Sequence, residues 1–522
     1  MKNKSLYLFL LFLFILIIKI ILTIPFEGIF LYPDEFCVIQ KAKYFIENFS
    51  IKPCYEIIGY HKIYDVSILY SLLISPFYYF FNGVEAYHGI LILNSFLVST
   101  LVFPIFLIIK RFQISNWINY ILTSFLLFLP QIVSFEKTIM TETLYIVICI
   151  WLLHFYIKSF EKNKIQNKLI SFFLAFLAIF TRPFGFIIPI SILINELIQI
   201  KKHKKIISFG ILLTFTFLLI FFINSSIFYE ALVLEKIKSF FDLSNLPTLL
   251  LAFKNQINSF IVPTFFLPTL IFILYFNKKN LKKLNKIKYF VITLLILNFF
   301  ISAQHIYGYM MDITNEGQPD FLSFLTRYIH LPIFIIILFS SIFLIKNKKF
   351  ECTQKKLIIL ILFIIPIFFL DYSRIKYALN LDLDIFINYL FNYSIIALFF
   401  VLLVLFIFNK KKTLIFILGS LLIFNSIICY LHIEKQAKRP KNNIVLEYFQ
   451  DTISNILIMN NNNNELSFYR PIATYTSNKI TKYNSLSEIK KINNYNYIIT
   501  PEKLDYPILF KGSIETIYHI PK

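Results

Sequence analysis

Two adjacent carboxylates, Asp34 and Glu35, follow Pro33 just after the first long apolar run of the chain. Acids beside hydrocarbon are costly to keep, so such a pair is a candidate for chemistry: taking a proton, holding a metal or fixing a ligand. The competing reading is a solvated loop in which Pro33 breaks the preceding helix. A further acid, Glu142, opens a later apolar run in Met140-Thr141-Glu142-Thr143-Leu144. There it either meets a ligand or is favoured by the helix dipole. Glu136 lies just upstream and is a weaker candidate. Arg182, before Pro183, and Arg327, before Tyr328, stand at the ends of apolar runs in a chain whose bases are mostly lysine.

The elements that must position these residues are apolar. Of 522 residues, 58% are hydrophobic and 19% aromatic, with a mean hydropathy of +0.70. Soluble domains are less apolar, and runs of about 20 apolar residues mark membrane spans. The composition therefore indicates a polytopic α-helical membrane protein. A net charge of +22 would suggest nucleic acid in a soluble protein. Here the lysines crowd into short loops between apolar runs, as membrane orientation requires, so nucleic-acid binding is rejected. Five cysteines make neither a disulfide framework nor a zinc pattern. Whether Cys37 and Cys54, which share one loop, form a pair is open. The N-terminal run from Leu6 to about Ile24 is too long for a signal peptide and reads as an uncleaved anchor.

Apolar runs fall near 5–24, 67–82, 88–109, 117–134, 139–157, 169–181, 184–200, 206–224, 261–276, 289–304, 327–345, 357–371, 391–408 and 413–432. The second is short, carries Pro76 in its middle and is rich in Tyr and Phe, which suits a helix lying in the interface. Omitting it leaves 13 spans with the N-terminus in the cytoplasm. The loops 110–116, 158–168, 201–205, 277–288, 346–356 and 409–412 then face inward, dense in lysine and holding only two acids, Glu161 and Glu351. Counting 67–82 as a span would put clusters such as Lys410-Lys411-Lys412 outside, against the positive-inside rule. In this topology Asp34, Glu35, Glu136, Glu142, Arg182, His305, Asp312 and Arg327 all share the outer face.

Hydrophobicity drops after about Glu434. Residues 444–458 read as an amphipathic helix, and 467–476, 495–500 and 513–520 read as short strands. The expected organisation is a transmembrane core over 1–432 and a small extracytoplasmic α/β domain over 433–522.

The order of these motifs resembles the GT-C membrane glycosyltransferases, in the phospholipid-carrier-dependent branch. That branch includes the protein O-mannosyltransferases and the lipid A aminoarabinose transferase. The resemblance is carried by one anchor span, then Pro33-Asp34-Glu35 opening a long outer loop, then Val38-Ile39-Gln40-Lys41-Ala42-Lys43-Tyr44 and interfacial helices ending at Phe81-Asn82-Gly83. Thr141-Glu142-Thr143, Thr181-Arg182-Pro183-Phe184-Gly185 and Thr326-Arg327-Tyr328 follow in order. It covers roughly the first 430 residues. Cys37 and Val38 stand where Arg-Tyr often follows the acid pair, which leaves the sugar open.

The resemblance implies an integral plasma-membrane enzyme with about 13 transmembrane helices, outer-face interfacial helices and a small C-terminal domain. It would move a monosaccharide from a polyprenyl-phosphate donor to an outer-face glycan, lipid or protein. A lipid phosphate leaves without protonation, so one base to deprotonate the acceptor suffices, and in-line attack inverts the anomeric centre. Asp34 is the expected base. Glu35 orients the acceptor, holds a metal or caps a helix. Glu142 meets sugar or acceptor hydroxyls, or joins Asp34 on a divalent metal; no cofactor is otherwise implied. Arg327 first and Arg182 second are the expected donor-phosphate ligands, because a guanidinium grips phosphate through a fork of donors. Lys62 aligns with a basic position of the first outer loop. The alternative function is a transporter or flippase of lipid-linked saccharides, which requires polar residues inside the spans.

Overall fold

The computed structural model describes residues 2–24, 33–50, 52, 68–81, 83–161, 164–199, 286–287, 289–298 and 330–346, with five strands between 455 and 519. The helices are α1 (Lys2–Ile21), α2 (Pro33–Asn48), α3 (Ile68–Phe80), α4 (Gly83–Ser99), α5 (Val102–Lys110), α6 (Asn116–Leu127), α7 (Pro130–Glu136), α8 (Thr141–Ser159), α9 (Lys164–Thr181), α10 (Ile187–Gln199), α11 (Tyr289–Asn298) and α12 (His330–Lys346). A 3-10 turn over Pro183–Phe186 precedes α10. Among the described residues, two stretches, Glu85–Lys110 and Thr141–Ser159, are long and apolar enough to cross a bilayer. The expected spans at 206–224, 261–276, 357–371, 391–408 and 413–432, and the boundary at 432/433, lie outside the described residues.

The chain forms two compact units. One draws on 1–19, 94–137 and 141–432, the other on 20–93, 138–140 and 433–522. In the first unit, α1 buries a single stripe, Phe12, Ile15 and Lys19, at helical spacing, and Phe12 packs on Phe103 at 5.4 Å. Its other faces expose Leu6, Phe9, Phe14 and Ile17, each about half accessible. The same pattern recurs on α9, where Ile165, Leu169 and Phe173 are exposed. Large apolar groups standing together on the outside of a packed unit are compatible with a hydrocarbon solvent. The α8 helix is apolar on every side and buried nearly throughout, as a central helix must be.

Proline sets the breaks in this unit. The stretch Glu85–Lys110 is interrupted at Thr100–Leu101 because Pro104 has no N–H for the Thr100 carbonyl. That carbonyl instead accepts from the Phe103 amide at 3.2 Å. The run 117–134, expected as one span, is divided at Phe128–Leu129, and Pro130 opens the separate short helix α7. At the other end of α8, the Tyr156 hydroxyl and the carboxamide and carboxylate of Asn195 and Glu196 form a network. Asn195 Nδ2 donates to Tyr156 at 2.6 Å and to the Lys286 carbonyl at 2.9 Å, and Lys168 pairs with Glu196 at 2.6 Å. This network ties α8, α9, α10 and the chain entering α11.

In the second unit α2 packs along α3. With 13 residues, α3 rises about 20 Å, short of the roughly 30 Å hydrocarbon core. Pro76 lies inside it, and the carbonyl that Pro76 leaves without a donor, that of Leu72, accepts from the Ser75 hydroxyl at 2.9 Å. Tyr79, Phe80 and Phe81 at its C-terminal end are exposed. Gly89 of α4 admits the Phe77 ring, which would lie 2.7 Å from a Cβ there.

Strands β1 (Asn455–Met459), β2 (Lys479–Tyr483), β3 (Tyr497–Thr500), β4 (Ile508–Lys511) and β5 (Thr516–His519) form one sheet in the order β2-β1-β3-β5-β4. β1 is parallel to both β2 and β3, while β5 is antiparallel to β3 and β4. Residues 497–500 and 516–519 thus fall where strands were expected. The helical reading of 444–458 fails at its end, since 455–458 are strand. The run Ile-Leu-Ile-Met over 456–459 is apolar without a break, which suits a strand paired on both sides and carries no helical period.

Candidate functional site

Pro33 does not break a helix; it starts one. It is the first residue of α2, the position where a missing N–H costs nothing. Asp34 and Glu35 follow in the same first turn, where carboxylates suit the helix dipole. The two positions lie about 100° apart around the helix. Glu35 is fully buried, as are Phe36, Val38 and Ile39 beside it. One carboxylate oxygen, Oε1, accepts from the Tyr87 hydroxyl at 3.0 Å and from the Ile139 amide at 2.7 Å.

The α3 face near Glu35 is hydroxyl-rich, with Tyr70 and Ser71 buried and the hydroxyl of Tyr78 sealed from solvent. Burial first, then the nearby Glu35 carboxylate and Tyr70, push the Tyr78 phenol well above its ordinary value. The Lys43 ammonium lies 5.6 Å from the centre of the Tyr78 ring. Burial of that amine lowers its pKa to about 8, against the weaker opposing pull of Glu47. The stem of Lys43 stays partly accessible, while its charged end is covered.

A second cluster forms in the other unit. Lys19, Glu136 and Lys137 are all but inaccessible, and Lys19 forms an ion pair with Glu136. Lys137 Nζ donates to Glu136 at 3.0 Å, to Ser95 at 3.1 Å and to the Lys19 carbonyl in the last turn of α1 at 2.8 Å. Ser95 in turn donates to Glu136 at 2.8 Å, and the Phe128 ring lies 5.1 Å from the Lys19 ammonium. Burial opposes ionisation of Glu136, but the Lys137 and Lys19 ammoniums outweigh it and hold the carboxyl below the usual range. Burial lowers Lys137 despite the attraction of Glu136, and the second ammonium of Lys19 adds to the lowering. Lys19 lies within the apolar helix α1, and its partner Glu136 is 117 residues away in the chain. The signal was present: a lysine inside an apolar helix requires a partner.

The third arrangement joins two residues expected to act separately. Arg182 Nη1 lies 3.3 Å from Glu142 Oε1, both side chains being buried, and the guanidinium sits 5.8 Å from the Tyr145 ring centre. Glu142 and Tyr145 are three residues apart on α8 and so share a face. Arg182 is fixed by its own motif. Its amide closes the last turn of α9 onto the Ala178 carbonyl at 3.1 Å, and Pro183 then stops the helix. The chain folds back so closely that a Cβ on Gly185 would lie 2.2 Å from the Ala178 carbonyl oxygen. Glycine is required there by space.

Of the expected site residues, Glu35, Glu142 and Arg182 are thus described in full and Asp34 by its backbone. Lys62 and Arg327 lie outside the described residues, as do Cys54, His305 and Asp312. Cys37, on α2, is disulfide-bonded. Among the described residues no three His, Cys, Asp or Glu side chains converge as a metal site. No protein-family model matches the chain, and no curated protein matches it.

Proposed function

We propose that the chain is a polytopic GT-C-type glycosyltransferase of the plasma membrane that transfers a monosaccharide from a polyprenyl-phosphate donor to an outer-face acceptor. The observation that carries this reading is Asp34 in the first turn of a helix that follows the apolar anchor α1. The first turn of a helix is a place where the dipole favours a carboxylate, the group a base of this kind requires. The disulfide at Cys37, one turn further along α2, supports an extracytoplasmic position, since disulfides persist on the oxidising side of a membrane. The short α3 with its exposed aromatic end suits an interfacial helix beside the spans.

In the proposed reaction Asp34 takes the proton of the acceptor hydroxyl as its oxygen attacks the anomeric carbon. The bond from that carbon to the phosphate oxygen breaks, the phosphate leaves with the electron pair, and the configuration inverts. Arg327 and Lys62 are the proposed phosphate ligands. Arg182 takes a lesser part, because its charge already faces Glu142. Glu142 then serves chiefly to hold Arg182 and to accept from substrate hydroxyls.

The second reading, a transporter or flippase of lipid-linked saccharides, is favoured by one observation, the ionisable cluster of Lys19, Glu136 and Lys137. Its members bind one another and are sealed from solvent, which suits a structural lock better than a pathway. Proteoliposomes containing the full chain and a polyprenyl-phosphate sugar distinguish the two. Transfer to an acceptor on the outer-face side, lost in Asp34→Asn, supports the enzyme; movement of the donor across the bilayer without transfer supports the transporter.

A further inference from the structure

We propose that Glu35, the second carboxylate of the motif, is a positioning residue for the turn that carries Asp34 and takes no part in proton transfer. The inference rests on the glycosyltransfer reading for its kinetic arm and on geometry alone for its structural arm. Glu35 has no accessible surface, and a single oxygen, Oε1, receives both the Tyr87 hydroxyl at 3.0 Å and the Ile139 amide at 2.7 Å. A general base needs an open approach to the proton it takes, whereas this oxygen already accepts two hydrogen bonds.

The Ile139 amide is itself buried, just ahead of α8, and a buried N–H requires an acceptor. Glu35 supplies it from 104 residues away in the chain. Tyr87 reaches the same oxygen from the first turns of α4. The first turn of α2 is thereby fastened at one atom to two segments distant in sequence. An acid immediately after Asp34 is explained by this fastening without any second catalytic carboxylate.

Glutamine keeps a carbonyl oxygen at the position of Oε1 while removing the charge and exchanging Oε2 for an NH2 group, so it separates the Oε1 fastening from proton transfer. The test uses the full chain in nanodiscs with three variants, Glu35→Gln, Glu35→Ala and Tyr87→Phe, and two readouts. The first is hydrogen exchange at the Ile139 amide. Glu35→Ala is expected to speed it at least about tenfold, while Glu35→Gln leaves it near the wild-type rate. The second is transfer from a synthetic polyprenyl-phosphate sugar.

Glu35→Ala is expected to lower kcat about 100-fold with KM within about threefold, the cost of a misplaced reacting group. Glu35→Gln is expected to rescue kcat to within about tenfold of wild type, with an unchanged pH profile. Tyr87→Phe, which removes one donor and keeps the packing, should fall between them. A Glu35→Gln variant as inactive as Asp34→Asn but with wild-type exchange would overturn the inference, because the charge itself would then be needed. Unchanged Ile139 exchange in Glu35→Ala would overturn it from the structural side. If the wild-type chain transfers nothing, the glycosyltransfer reading fails by itself, and the exchange arm still decides the role of Glu35.

Discussion

Replacing either member of the Glu142–Arg182 pair with leucine should destabilise the protein by about 3–5 kcal/mol, the range for stranding one partner of a buried ion pair. The charged atoms are 3.3 Å apart and the side chains 1% and 8% exposed. At that distance, and with an effective dielectric near 20, their attraction is about 5 kcal/mol before desolvation is subtracted. The Tyr145 face, 5.8 Å from the guanidinium, adds about 0.5–2 kcal/mol and cannot replace the carboxylate. The double variant Glu142→Leu/Arg182→Leu removes both charges together, so it should lose less than the sum of the singles, by about 1–3 kcal/mol. Denaturation of the full chain in mixed micelles, followed by the fluorescence of Trp117 and Trp151, gives the three differences. Single losses below about 0.5 kcal/mol, adding without coupling, would mean that the two groups face water in the folded protein and would refute the buried pair.

The remaining expectations concern space, protonation and orientation. Gly185→Ala should destabilise by at least about 1–3 kcal/mol and reduce transfer, since its Cβ would press on the Ala178 backbone next to Arg182; thermal unfolding and activity read the two effects. Lys43, with its pKa lowered to about 8 by burial, should lose its proton well below ordinary lysines, as the pH dependence of its side-chain nitrogen NMR signal would record. An amine that loses its proton earlier in the folded state binds fewer protons there than when unfolded. Its contribution to stability therefore rises with pH between about 8 and 10.5. A single cysteine placed at His203 should react with a membrane-impermeant maleimide only after permeabilisation, and reaction in intact cells would reverse the proposed topology.

What the sequence made legible was governed by range. The doublet Asp34-Glu35 and the motif Thr181-Arg182-Pro183-Phe184-Gly185 are local, and they sit at a helix start and a helix stop as their prolines and dipole preferences require. The competing reading of Pro33 as a helix breaker fails; a proline that ends one helix and a proline at the first position of the next look alike in sequence. The break before Pro130 was hidden by the apolar residues on both sides of it. The pairings were not legible. Lys19 with Glu136, and Glu142 with Arg182, join segments that only the packing of helices brings together. The full burial of Glu35 was likewise not legible, because no local pattern marks an acid in a helix's first turn for the interior.

The central claim is that Asp34 activates an acceptor for attack on a lipid-carried sugar. Mass spectrometry of cell-surface glycans and of the polyprenyl-phosphate pool, in cells carrying the wild-type chain or Asp34→Asn at equal membrane abundance, tests it most directly. The account predicts that Asp34→Asn removes one monosaccharide from a surface glycan or glycolipid and that the matching lipid-phosphate sugar accumulates. Identical glycans and an unchanged donor pool in the two cell lines would contradict it.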